Sequence, residues 1–398
     1  MNDPGIILDA AVAISSGLIV AVATASEVTS EYDPSETLDA GGKAVIPGFV
    51  EPHTHAIFAG SRIDEFELRI KGESYLEILE KGGGILSTMR ATRAASVDAM
   101  LELSRPRLLS LMAEGATTIE VKTGYGLDPQ SELRMLEVIE KLDQMLPVDL
   151  IPTFMPAHAV PPEFENHSSG YVDLICEQMI PAAVSWFEGS HFSAKGTPFF
   201  IDVFCETGAF SVAEARRIID AGRKRGMKAK VHVDQFTNLG GVSMALECEA
   251  TSIDHLDFIT DVEVALLAKS DTVAVLCPTV NLHSGSSQFP DGRRLLDAGS
   301  AIALSTDFNP GSSPCASMPL VMALACRYLK MNPAESLNAA TINAAYASGI
   351  GTTAGSIERG KQADLLILKS DDWRGPAYEL GGNPIAKVIK NGSPIEAS

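Results

Sequence analysis

The stretch Ala44-Val45-Ile46-Pro47-Gly48-Phe49-Val50-Glu51-Pro52-His53-Thr54-His55 decides how the chain is read. It is an apolar, strand-like run that ends in His-x-His. In an extended strand alternate residues face the same way, so His53 and His55 aim two imidazoles into one space while Thr54 faces the other side. Imidazole is a common ligand for zinc and iron, and a rigid strand end leaves little side-chain freedom to lose on binding. An isolated His-x-His is more often an ordinary surface turn, so its meaning rests on the rest of the chain.

Seven further apolar runs follow, spaced as repeated βα units require: 117–121, 150–155, 199–204, 229–233, 251–255, 272–276 and 301–305. Between them lie amphipathic stretches such as Glu132 to Leu146 and Ser211 to Arg225, the latter stopped by Gly226. Eight such units over 45–356 predict an α/β fold, a (β/α)8 TIM-like barrel. The two ends are strand-rich instead. Gly5-Ile6-Ile7-Leu8 and Leu18–Ala23, separated by Ser15-Ser16-Gly17, and later Leu365–Leu368 and Ala386–Ile389, predict a small β-sandwich domain built from 1–44 and 357–398.

Unusual polar residues fall at or just past the carboxyl ends of the predicted strands: His53, His55, Tyr125, His158, Glu206, His232, Gln235, His255 and Asp307. That end of a barrel carries the active site. His283 lies in the connection after the seventh run, and His167 and His191 sit in a polar connection where solvation explains them. Any one of these residues alone has a plainer reading, such as a hydrogen-bonded core histidine or an Asp307 that caps a turn. Their joint placement points to chemistry. His53, His55, His232 and Asp307 offer three nitrogens and one oxygen to a single ion and leave a position for water. Asp307 and His255 are the candidate proton acceptors beside it.

The 398 residues carry a formal charge of −20, which argues against a nucleic-acid or anionic-membrane partner. An anionic substrate must therefore meet a local cation. The six cysteines form no Cys-x-x-Cys pair and sit mostly in apolar runs, as buried thiols of a reducing compartment would. With no apolar run of membrane-spanning length and no basic leader after Met1, the expected location is the cytoplasm.

Longer motifs carry a resemblance. His53-Thr54-His55-Ala56-Ile57-Phe58-Ala59-Gly60-Ser61-Arg62, Gly82-Gly83-Gly84-Ile85 with Arg90-Ala91-Thr92-Arg93, Lys122-Thr123-Gly124-Tyr125-Gly126-Leu127, Ala157–Pro162 and Thr306–Pro314 resemble the imidazolonepropionase family of the amidohydrolase superfamily, over almost the whole chain. The resemblance implies hydrolysis of 4-imidazolone-5-propanoate to N-formimidoyl-glutamate in histidine degradation, one zinc or iron ion on His53, His55, His232 and Asp307, and a homodimer. It further implies that Arg62 pairs with the substrate carboxylate and that Tyr75, Tyr125, His158, Asn309 and Ser312 line the substrate. The plainer reading of Arg62 is an ion pair with Asp64 or Glu65.

Three features depart from the family pattern. Gln235 stands where many relatives have glutamate, and an amide cannot take a proton near neutral pH, so proton transfer is left to His255 and Asp307. The stretch 278–287, read as a loop, is more polar than the family leads one to expect. The chain begins where the family's first strand should already have ended, which would leave a sheet edge exposed. Two rivals stand beside the hydrolase: a deaminase on the same barrel, disfavoured because a neutral base gives Arg62 nothing to hold, and a metal-binding relative without turnover.

Overall fold

Gly48 divides the run on which the fold turns. In the computed structural model, which describes residues 4–72 and 83–395, Val45–Pro47 (β3) pairs antiparallel with Leu365–Leu368 (β12), whereas Phe49–Glu51 (β4) pairs in parallel with Ala116–Lys122 (β5). One apolar run thus feeds two sheets. A side chain at position 48 would collide with Thr117, so only glycine lets the chain pass from one sheet to the other.

From β4 the chain builds eight parallel strands whose neighbours follow sequence order: β4, β5, Asp149–Ala157 (β6), Phe200–Cys205 (β7), Lys228–Val233 (β8), Ser252–His255 (β9), Val273–Leu276 (β10) and Ile302–Leu304 (β11). The last seven coincide with the later predicted runs, and β4 takes only the end of the first. The last strand meets the first just beyond their ends, where His55 N–H donates to the Phe308 carbonyl at 2.8 Å and Ser305 Oγ donates to the His53 carbonyl at 2.8 Å. Closure therefore fixes the two metal-competent segments, 53–55 and 305–308, against each other. Branched and aromatic side chains such as Ile119, Phe154, Ile201, Val231, Ile253 and Leu304 are fully buried around this sheet, each worth about 1.5–3 kcal/mol relative to exposure.

The helices obey local signals. Pro129–Met145 starts at Asp128, whose carboxylate accepts from Ser131 N–H at 2.8 Å, and Val212–Arg223 starts at a Ser211/Glu214 capping box. The stretch read as a polar loop after β10 is instead a helix, Pro278–Ser284: Pro278 opens it, Val280 and Asn281 are buried, and Gly285 closes it at φ +68°.

The ends of the chain form a four-stranded sheet in the order β14 (Ser393–Ile395), β13 (Ile385–Lys390), β12, β3. A hairpin of Ala10–Ser15 (β1) and Leu18–Thr24 (β2) joins it through Ile19, bonded to Lys361 and Gly360, and packs Val12 against Leu365, Ile367 and Ile389. The expected strand at Gly5–Leu8 lies outside this hairpin. The tight turn Ser16-Gly17, with φ of +51° and +79°, pairs the residues nearest to it, and the ladder stops at Ala10, leaving Leu8 78% exposed. Among the described residues no helix is long and apolar enough to cross a membrane.

Candidate metal centre and active site

His53 and His55 leave β4, His232 lies in β8, His255 ends β9 and Asp307 follows β11, so strand ends alone bring them together. All five are at most 3% exposed. His53 Nε2 lies 3.3 Å from His55 Nε2 and 3.3 Å from Asp307 Oδ1, and the rings of His53 and His232 are 4.4 Å apart. Asp234, His255, Leu256 and Asp307 all have positive φ, a conformation costing of order 1–3 kcal/mol in a non-glycine residue, and all sit at this mouth.

Two carboxylates that the sequence reading passed over set the imidazole tautomers. Asp254 accepts from His53 Nδ1 at 2.7 Å, and Asp202 from His232 Nδ1 at 3.1 Å. A carboxylate brings no proton, so each Nδ1 must donate and each Nε2 is left as a lone pair. His232 Nε2, His55 Nδ1 and Asp307 Oδ1 are buried with no hydrogen-bond partner among the described residues. Burial, reinforced by the Lys122 ammonium, holds His53, His55 and His255 far below the usual imidazole range, so each is neutral with a single N–H. His55 has a single N–H to offer, so the lone pairs of His53 Nε2 and His232 Nε2 and the Asp307 carboxylate outnumber the donors around them, a poor end state and a good cation site. The ligating atoms of His53, His55 and Asp307 lie within 4.8 Å of one another, as do those of His53, His232 and His255. The donor set fits a divalent cation.

His158 and Tyr125 line the same space. The His158 ring stacks on His55 at 4.7 Å and 21°, and its Nδ1 donates to the Gly124 carbonyl at 3.1 Å. Burial pushes His158 down to about 3, so it is neutral and presents Nε2 as an acceptor. The buried Glu132 carboxylate shapes the preceding turn by accepting from the N–H groups of Gly124, Gly126 and Leu127. At Gly124, φ +106°, a side chain would meet the Met155 carbonyl and His158. The Tyr125 ring sits 5.8 Å from His55 and 5.3 Å from His158.

Arg62 holds Glu65, with Nε and Nη2 each 2.8 Å from Oε2, and its guanidinium lies so close to Gly311 that a side chain there would collide with it. The ion pair with Glu65 therefore exists, yet the arginine is largely buried against the loop that follows Asp307. Asn309 and Ser312 are committed within that loop: Asn309 Oδ1 accepts from Gly311 N–H at 2.8 Å and Ser312 N–H at 2.7 Å, while its Nδ2 donates to the Asp307 carbonyl at 2.7 Å. Gln235 is half-buried in the turn after β8 and makes no hydrogen bond to a described residue; Glu206 fixes that turn by accepting from Phe236 N–H at 2.9 Å. Tyr75 lies outside the described residues. His283 stacks on Phe66 at 5.2 Å, and His191, expected to be merely solvated, is bonded to Glu140 at 3.0 Å and Asp143 at 2.7 Å.

The comparisons with known proteins meet this geometry. The amidohydrolase family profile matches residues 204–395, and the chain has the fold of that class. Within that class the chain belongs to the imidazolonepropionase family. It is 52% identical over 395 residues to the imidazolonepropionase of Chloroflexus aggregans, covering 99% of this chain and 92% of that one. The imidazolonepropionase of Herpetosiphon aurantiacus is 48% identical over 383 residues, covering 96% and 89%. Among solved structures, a 5-methylcytosine deaminase from Klebsiella pneumoniae shares the fold with a TM-score of 0.73 at 15% identity, covering 97% of this chain and 94% of that one. A zinc-bound adenosine deaminase from Xanthomonas campestris does so with 0.71 at 18%, covering 97% and 88%.

Proposed function

We propose that the protein hydrolyses the cyclic amide of 4-imidazolone-5-propanoate to N-formimidoyl-L-glutamate, a step of histidine degradation. The observation that carries this reading is the meeting, at one barrel mouth, of a donor-poor set of metal-competent atoms with a largely buried arginine. His53, His55, His232 and Asp307 are assigned to one divalent metal ion, zinc or iron. Such an ion, when bound, polarises a carbonyl and lowers the pKa of water from ~16 toward ~7.

The remaining work falls to side chains. Arg62 grips the propanoate with a planar guanidinium, supplying the local cation that a chain of net charge −20 otherwise lacks. Tyr125 and His158 bracket the ring, and His158 Nε2 accepts from a ring N–H; Tyr75 is assigned to substrate contact by the family resemblance alone. Gln235 hydrogen-bonds the ring without exchanging a proton. Asp307, beside the water position, takes a proton from water and returns it. His255 orients the carbonyl and shares that proton. The ring C–N bond breaks, oxygen from water ends on the carbonyl carbon, and the leaving nitrogen keeps the proton.

The test is consumption of 4-imidazolone-5-propanoate by metal-analysed protein, beside the analogue that carries an ethyl group in place of the propanoate. Turnover of the acid with the ethyl analogue poorer by a large factor in kcat/KM supports the reading. Metal-loaded protein inert toward the acid overturns it.

A further inference from the structure

We infer that Lys122 is a positioning residue for the metal centre: one buried ammonium holds the carboxylates that orient the metal-competent histidines. The inference rests on the ligand assignment above. Lys122 stands in β5 with its side chain wholly excluded from solvent, behind the carboxylates that touch His53 and His232. Its Nζ lies 2.8 Å from Glu120 Oε1, 2.8 Å from Asp202 Oδ2 and 3.6 Å from Asp254 Oδ2.

Each of those carboxylates leads to a ligand segment. Asp202 uses its other oxygen, Oδ1, for His232 Nδ1. Asp254 Oδ2, facing Lys122, also accepts from His53 Nδ1, and Ser252 Oγ steadies Asp254 Oδ1 at 2.7 Å. Glu120 accepts from Thr54 N–H at 3.3 Å through Oε2, and the Glu120 carbonyl takes the Thr54 hydroxyl at 2.7 Å, which fixes the residue between His53 and His55. The backbone closes the same circuit, because Lys122 N–H donates to the Thr54 carbonyl at 2.9 Å. His53 and His232 are therefore each one carboxylate removed from the Lys122 ammonium, and His55 is tied to it only through Glu120 and the backbone at Thr54.

The charge arrangement separates this from an ordinary buried ion pair. Two buried lysines serve three carboxylates, Lys122 in direct contact and Lys230 through Ser252 Oγ at 3.2 Å, which still leaves an excess of negative charge in a dry interior, and buried charge of that kind is a poor source of stability. The excess has an outlet. Two of the carboxylates turn their remaining capacity to imidazole N–H groups, which makes the opposite nitrogens better donors to a cation above them. Without Lys122 the three carboxylates would repel one another, and both imidazoles would lose their orientation together.

The test measures zinc dissociation constants by chelator competition on folded, metal-stripped full-length protein. Lys122→Met keeps the unbranched bulk and removes the charge. Its zinc affinity is expected to fall about 10- to 100-fold, with kcat at saturating zinc reduced and KM little changed. Asp202→Asn is expected to weaken zinc similarly, and the double variant to be little worse than either single one. Parental zinc affinity in folded Lys122→Met, or fully additive losses in the double variant, overturns the inference. Should Lys122→Met not fold, Lys122→Arg decides: a guanidinium cannot place its donors on the same three oxygens, so weaker zinc binding supports the inference and parental binding overturns it. His232→Ala separates the two readings, because parental zinc affinity in that variant would sink the ligand assignment whatever Lys122 does.

Discussion

Two buried lysines in this molecule have nearly the same local chemistry and opposite meanings. Lys122 lies under the barrel mouth among Glu120, Asp202 and Asp254; Lys390 lies where the terminal sheet meets the barrel floor, 2.7 Å from Asp364 and bonded to Asp149 at the start of β6. For both, burial works against the charge and the surrounding carboxylates more than restore it. The difference is in what the carboxylates do next. Asp364 takes the Asn391 N–H at 3.0 Å and Asp149 the Gln362 amide at 3.2 Å, so that network ends in satisfied groups. Around Lys122 the carboxylates pass on to imidazoles whose far nitrogens face acceptors. A buried ion cluster is thus no sign of function by itself; an unsatisfied atom one bond beyond it is.

The comparison is broken most sharply by removing the unsatisfied atom. His232→Ala is expected to lose its metal and at least about 10³-fold in turnover, because several kcal/mol of transition-state stabilisation leave with the ion; metal analysis beside a rate assay checks it. Lys390→Met should do the reverse. It leaves two carboxylates facing each other and is expected to cost about 3 kcal/mol in urea unfolding, the low end for a broken buried pair since Asp149 is 31% exposed, with zinc affinity and KM unchanged. A fall in zinc affinity there would erase the distinction drawn between the two lysines.

Arg62→Ala sharpens the same contrast at the substrate end. Loss of charge-assisted hydrogen bonds, about 1.5–3 kcal/mol, is expected to raise KM roughly 10- to 100-fold with kcat within a few-fold. Gly311→Ala, which drives a methyl group into the guanidinium, should move KM in the same direction by less. The smallest effect concerns Asp257, whose carboxyl burial pushes up to about 7 against the hydrogen bond from Asn281. Its folded value lies above its unfolded one, so the folded state holds the extra proton between pH 4 and 7 and loses stability as pH rises through that window. Asp257→Asn removes the charge and is expected to raise Tm by about 2 °C at pH 8 and not at pH 4.

The contrast also explains what the sequence reveals. The eight strands are legible because each is a short apolar run between turn signals, and the site residues stand out because polar groups at strand ends break that pattern. His53 and His55 follow from the two-residue period of a strand. Lys122, Asp202 and Asp254 do not stand out: each is a charged residue inside a strand whose partners lie on other strands, and the His53–Asp254 bond joins positions 201 residues apart, which only barrel closure brings together. A lysine and two aspartates inside otherwise apolar strands were the available signal. The division at Gly48 was hidden for a similar reason, since β3 finds its partner in residues 365–367. The helix Pro278–Ser284 was obscured by the Ser- and Gly-rich segment after it, although Pro278 marked its start.

The most direct measurement is anomalous diffraction at the zinc and iron edges from crystals of metal-reconstituted protein. The expected result is one peak about 2.0–2.2 Å from imidazole nitrogens of His53, His55 and His232 and from the Asp307 carboxylate. No peak there, or a single peak held instead by His255, Cys277 and Asp307, would contradict the assignment of the metal centre.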